Sequence, residues 1–154
     1  MSLTARIALH KQAPAHLKAL LNLAGVVKQG SLGPRLVEMV NLRVSQINGC
    51  GFCADMHWRD LLKQEVDPRH LNAISVWREA PFFTDRERAA LRWAELLNAI
   101  PHSDLSDAEF AAASAHFSEQ EMVELGYTVA TIRAWNLLSV SLRNPIPQVP
   151  APGM

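Results

Sequence analysis

Apolar residues recur three and four positions apart through most of the chain, and short polar clusters punctuate the runs, the pattern of successive amphipathic helices. Pro14 suits a first helical position, and Leu17, Leu20, Leu21, Leu23 and Val27 carry that helix to Gly30. Ser31 or Gly33, with Pro34, starts a second helix through Leu36, Val40, Val44 and Ile47, closed by the cap pair Asn48-Gly49. A third opens at the cysteines and is expected to end near Glu65, and Asp67-Pro68 begins a fourth bearing Leu71, Ile74 and Trp77. Three capping boxes follow: Thr84 with Glu87, Ser106 with Glu109, and Ser118 with Glu121. In each, hydroxyl and carboxylate can satisfy otherwise orphaned backbone N–H groups reciprocally. Sustained period-two alternation is lacking, so no strand is predicted. The expected fold class is all-α, with about six to seven helices in a single domain over residues 1–143. The Pro-rich remainder, 144–154, cannot be helical and is expected to form an arm, loose or laid on a neighbouring subunit.

The final helix, roughly Glu119 to Arg143, is apolar around most of its circumference between Met122 and Leu142, which predicts burial on nearly all sides. Gly126, Ala130 and Ala134, four residues apart, would let another helix approach closely. One domain of this size has few ways to surround so long a helix, so a subunit interface is expected to cover it. A central core helix in a monomer is the other reading.

Charge adds exclusions. Lys plus Arg equals Asp plus Glu at 15 each, so no net field favours nucleic acid or an anionic membrane surface. No run of about 18 apolar residues suggests a membrane span. Arg6, His10 and Lys11 interrupt any signal-peptide core at the N-terminus. A reducing, cytoplasmic setting is the expectation, and there a CxxC reads as catalytic or metal-binding.

Both cysteines lie in Gly49-Cys50-Gly51-Phe52-Cys53-Ala54-Asp55-Met56-His57. A helical residue advances about 100° around the axis, so Cys50, Cys53 and His57 fall within an arc of about 60°. The first turn after Gly49 favours a thiolate, and His57 one turn on can take a proton or stabilise that thiolate. Glu38 is an acid among apolar neighbours and has two readings. If the Asn48-Gly49 turn folds its helix back on the CxxC helix, Glu38 faces His57 and forms a proton relay; otherwise it is an exposed acid favourable to its helix dipole.

Cys50, Cys53 and His57 could instead supply three zinc ligands, but no second CxxC or HxxxH pair offers a fourth, so no metal is expected. A c-type haem is excluded because Ala54, not histidine, follows Cys53. A protein dithiol–disulfide oxidoreductase or redox sensor would use the same two sulfurs and stays open, as does a helical oligomer without activity. Trp58, Trp77, Trp93 and Trp135 are expected in core or interface packing. Asn136 is expected to pin a helix contact. Phe82-Phe83 either lines an approach to the thiols or seals a subunit contact.

Glu38, eleven residues, Cys50-x-x-Cys53, three residues, His57 resembles the active-site pattern of alkylhydroperoxidase D (AhpD) and the carboxymuconolactone decarboxylase-like superfamily. Val40-Asn41-Leu42-Arg43-Val44-Ser45-Gln46-Ile47-Asn48-Gly49-Cys50, Trp77-Arg78-Glu79-Ala80-Pro81-Phe82-Phe83 and Ala134-Trp135-Asn136 share the likeness, which runs from about Leu36 to Arg143. The resemblance implies an all-α subunit assembled into trimers or hexamers, and a thiol peroxidase that needs no cofactor. By carry-over, Cys53 is the peroxidatic thiolate, and Cys50 resolves its sulfenic acid as an intramolecular disulfide. A thiol reductant, a small dithiol or a thioredoxin-like protein, restores the pair. Glu38 and His57 match the relay that deprotonates the cysteines. Phe52 is a departure: better-known members carry a second histidine there, so less local proton transfer is implied. The CxxC argues against lactone decarboxylation, which that branch performs without one.

Overall fold

Prolines and capping residues set the helix boundaries. In the computed structural model, which describes residues 4–149, α1 (Leu9–Gln12) precedes α2 (Pro14–Lys28), α3 (Pro34–Ile47) and α4 (Gly51–Lys63). Then come α5 (Pro68–Ala73), a 3₁₀ turn (Ile74–Val76), α6 (Asp85–Asn98), α7 (Asp107–Ser114) and α8 (Glu119–Ser141). Every element among the described residues is helical. Pro14, Pro34 and Pro68 open α2, α3 and α5, where a missing N–H costs nothing. Thr84 with Glu87 and Ser118 with Glu121 form complete capping boxes. Ser106 makes only half of one. It accepts from the Glu109 N–H at 3.4 Å, while the Glu109 carboxylate turns away to Arg92. Four-residue α1 has too few positions for a period to show, and the sequence does not announce it.

Helix α3 is the hub, lying against α4, α6 and α8. On one side Val37, Val40 and Val44 meet Ala90 and Ala94 of α6 and Leu125, Val129 and Ile132 of α8. On the other, Met39 and Leu42 meet Leu61, Leu71, Ile74 and Leu91. Burying each such large side chain contributes about 1.5–3 kcal/mol, so α3 is clamped from two sides.

The turn after α3 positions everything that follows. Gly49 has φ 68°, a left-handed conformation that a Cβ would strain. The Cys50 N–H donates to Ser45 O at 3.0 Å and the Gly49 N–H to Gln46 O at 3.3 Å, the paired bonds of a Schellman stop. Asn48 anchors the turn sideways. Its Nδ2 donates to Asn98 Oδ1 (3.0 Å) and Asn136 Oδ1 (2.9 Å), and Asn98 Nδ2 donates back to Asn48 Oδ1 (2.9 Å). Asn136 Nδ2 in turn donates to Ser45 Oγ at 3.1 Å, so Asn136 pins α8 to α3 as its mid-helix position suggests.

The chain alone does not surround α8: Val123, Tyr127, Leu137 and Val140 are half or more exposed, so the reading of a central core helix in a monomer is not met. A Cβ at Gly126, the first of the small-residue row, would meet open space, so no other part of the described chain packs on that position. Trp77 and Trp93 are buried as expected, but Trp58 is 38% exposed and stays out of the core. The tail is not loose at its start. The Asn144 N–H donates to Ser139 O at 2.7 Å, and Ile146 Cδ1 would sit 2.9 Å from a Gly51 Cβ. Its continuation, 150–154, lies outside the described residues. Among those described, no helix is long and apolar enough to cross a membrane.

Replacing Asn136 by Leu should strand the Asn48 amide and the Ser45 hydroxyl in a buried setting and cost about 1–3 kcal/mol. Urea unfolding measures this, and an unchanged midpoint would remove the asparagine cluster from the account of the turn.

Candidate active site

Helix α4 starts immediately after the Schellman turn, with Cys50 as its N-cap residue. The Cys50 sulfur accepts from the Cys53 N–H at 3.3 Å, as a capping oxygen would. Both sulfurs therefore sit where the unpaired N–H groups of a helix start favour negative charge on sulfur. Here they are bonded to each other, Sγ to Sγ at 2.22 Å. Each cysteine is 2% exposed.

Because the turn folds α3 back on α4, Glu38 meets His57. His57 Nδ1 lies 2.5 Å from Glu38 Oε2, and both side chains are buried. The facing expected of Glu38 is thus observed, and its exposed-acid reading falls: its side chain is 1% exposed. Lys28, the last residue of α2, places Nζ 2.6 Å from the other oxygen, Oε1. An ionised Glu38 paired with the Lys28 ammonium can only accept, so the His57 nitrogen facing it, Nδ1, donates. The other ring nitrogen, Nε2, is buried with no hydrogen-bond partner among the described residues. Asp60 of α4 completes the group, 3.3 Å from Lys28 Nζ and 3.2 Å from Lys63 Nζ.

The charges are mutually held. Burial works against the Lys28 ammonium, but the bond to Glu38 and the charges of Glu38 and Asp60 outweigh it and raise its pKa above the ordinary lysine value. Burial likewise opposes the Asp60 carboxylate, and the bonds and charges of Lys63 and Lys28 prevail, lowering its pKa.

Cys53 and His57 both line a cavity of about 820 Å³; Cys50 does not. The walls are mostly apolar: Leu17 and Leu21 of α2, Phe52 and Met56 of α4, Ile132 and Trp135 of α8. Phe52, the departure noted in the sequence, thus faces the cavity beside Cys53. Phe82 and Phe83 do not line it. They pack with His70 in the second core cluster, ring centroids 4.8 and 4.4 Å from the imidazole, so they are no approach to the sulfurs. Thr131 adds a buried hydroxyl to the wall, without a hydrogen-bond partner among the described residues.

Sequence reasoning missed Lys28, Asp60 and Thr131. Lys28 closes a helix, a place where lysine ordinarily serves the dipole, and nothing local links it to Glu38. A metal is weighed against the same groups: ligand atoms of Glu38, His57 and Asp60 lie within 4.8 Å of one another. The Lys28 ammonium already bridges the two carboxylates there.

The model of the carboxymuconolactone decarboxylase family matches residues 14–96. The chain is an AhpD-like member of that family. Among its relatives is the uncharacterized protein YdfG of Bacillus subtilis, 30% identical over 139 residues, which span 90% of this chain and 95% of that one. A crystal structure from Agrobacterium tumefaciens, of a protein of unknown function provisionally described as the antioxidant defence protein AhpD, superposes with a TM-score of 0.91. It is 34% identical, over 95% of this chain and all of that one. An AhpD-core, peroxidase-related protein from Ralstonia eutropha has the same fold at 20% identity, with a TM-score of 0.81 over 90% of this chain and 74% of that one.

Replacing Glu38 by Gln should preserve the fold and weaken His57 as a base. The pH midpoint for iodoacetamide alkylation of the reduced thiols then moves up by about one unit. An unmoved profile would leave Glu38 without a part in thiol activation.

Proposed function

We propose that the chain is a thiol-dependent hydroperoxide reductase that cycles Cys50 and Cys53 between dithiol and disulfide. The observation carrying this reading is that Cys53 and His57 share one largely apolar cavity while Cys50, bonded to Cys53, does not line it. In the reduced state His57, supported by Glu38, takes the Cys53 proton through its free Nε2. The thiolate attacks the terminal peroxide oxygen, the O–O bond breaks, and the departing alkoxide recovers the proton as an alcohol. Cys53 is left as a sulfenic acid. The Cys50 sulfur then attacks the Cys53 sulfur, water leaves and the disulfide forms. Two electrons from an external dithiol restore both thiols.

Burial of both sulfurs favours a small dithiol as reductant over direct docking of a thioredoxin-like protein. The alternative of a protein dithiol–disulfide oxidoreductase or sensor draws less support for the same reason. The cavity favours an organic hydroperoxide over hydrogen peroxide, since each buried methylene contributes about 0.8 kcal/mol. A reducing compartment, the cytoplasm, suits a pair that must be re-reduced. The bare stripe of α8, Val123, Tyr127 and Leu137, supports a trimer or hexamer in which subunits cover it.

One equivalent of cumene hydroperoxide should consume both thiols of the reduced protein, and Cys53→Ser should abolish the reaction. Thiols that survive peroxide but exchange with a disulfide donor would establish the oxidoreductase reading in its place. Across substrates, kcat/KM for cumene hydroperoxide should exceed that for hydrogen peroxide about tenfold or more. Equal values would deny the cavity a role in selection.

A further inference from the structure

We propose that Lys28 is a positioning residue of the thiol site, acting through Glu38 to keep that carboxylate ionised and turned toward His57. This deepens the hydroperoxide reading and rests on it for the reaction, but thiol activation can be measured without any peroxide.

The geometry is a chain of four groups from three helices. Glu38 Oε2 faces His57 Nδ1 at 2.5 Å, and Oε1 faces Lys28 Nζ at 2.6 Å. The ammonium reaches on to Asp60 at 3.3 Å. Without Lys28, Glu38 would hold one oxygen in a buried setting with no cation beside it. Burial penalises an unpaired carboxylate, and its remedy is to take up a proton. A protonated Glu38 no longer supports a positive imidazole, so His57 loses its strength as a base. The ammonium therefore does for Oε1 what makes Oε2 useful.

The other titratable groups around this chain do not replace it. Helix α1 brings His10 to the cavity, α4 brings His57 and Asp60, with Lys63 bonded to Asp60, and α8 contributes Thr128, Thr131 and Ser139, none of them charged. Lys28 is the cation paired with Glu38. Its own charge is secure, since the paired carboxylates raise its pKa against the effect of burial.

The test is the pH profile of Cys53 alkylation by iodoacetamide in the reduced full-length chain, followed by mass spectrometry. The Lys28 side chain is 44% exposed, so its substitution leaves the packed core alone. Lys28→Met should raise the midpoint by about one pH unit. Lys28→Arg, which keeps the charge, should return it to the wild-type value. In the Glu38→Gln background, Lys28→Met should add less than about a third of that shift, because the two residues act as one unit. An unmoved midpoint overturns the proposal. So does faster alkylation at every pH with the midpoint unchanged, the signature of a loosened cavity wall. A full shift in the Gln background overturns it as well, since Lys28 would then act by its field and not through Glu38.

Discussion

Removing a carboxylate from water costs several kcal/mol unless partners replace its hydration, and Glu38 is fully buried in the N-terminal half of the hub helix. Its two oxygens draw one partner from α2 and one from α4. Three helices are thereby fixed relative to one another by a single side chain. Helix α2 has no fully buried residue, so this pairing adds to the packing of its Val27 on the first core cluster. An acid that would be a liability in an ordinary core here sets the spacing between cavity wall, hub and thiol helix.

That pairing requires α3 and α4 to run antiparallel in one register, and the turn between them supplies it. Gly49 takes the left-handed conformation, the Schellman bonds close α3, and the very next residue is the N-cap of α4. The asparagine cluster holds the turn against α6 and α8, so it cannot swing without breaking buried hydrogen bonds. The same few residues thus place the sulfurs at a helix start and bring His57 opposite Glu38. Structure and chemistry share one local device. The apolar cavity adds to it, since a low dielectric strengthens each charge interaction inside.

What could be read from the sequence follows the range of the interaction. The helices were legible because proline, capping residues and apolar period act within a few positions, as at Pro34, Thr84 and Ser118. The shared face of Cys53 and His57 was legible for the same reason, both lying on one helix. Glu38 could be matched to His57 only by assuming that the turn reverses the chain, and the Asn48-Gly49 pair justified the assumption. Lys28 and Asp60 had no such guide: their partners lie across helix packing that no local rule encodes. Ser106 shows the converse, where a correct local signal met tertiary competition and Arg92 took the Glu109 carboxylate. For α8, hydropathy showed more apolar surface than one domain can cover, but not which residues the chain leaves bare.

The thiol site and its access are linked through one residue. Leu17 and Leu21 of α2 form part of the cavity wall, and α2 ends at Lys28. Besides the packing of Val27 on the core and its contact with α8, α2 is held by the ion pairs at its end. On the role assigned to Lys28, withdrawing α2 would also take the ammonium from Glu38. The relay would then lose its acid's partner at the moment the cavity opened to water. An apolar cavity and a charged relay, which would ordinarily oppose each other energetically, are reconciled because Lys28, Glu38, His57 and Asp60 pair with one another while Leu17, Leu21, Phe52, Met56 and Ile132 supply the rest of the lining.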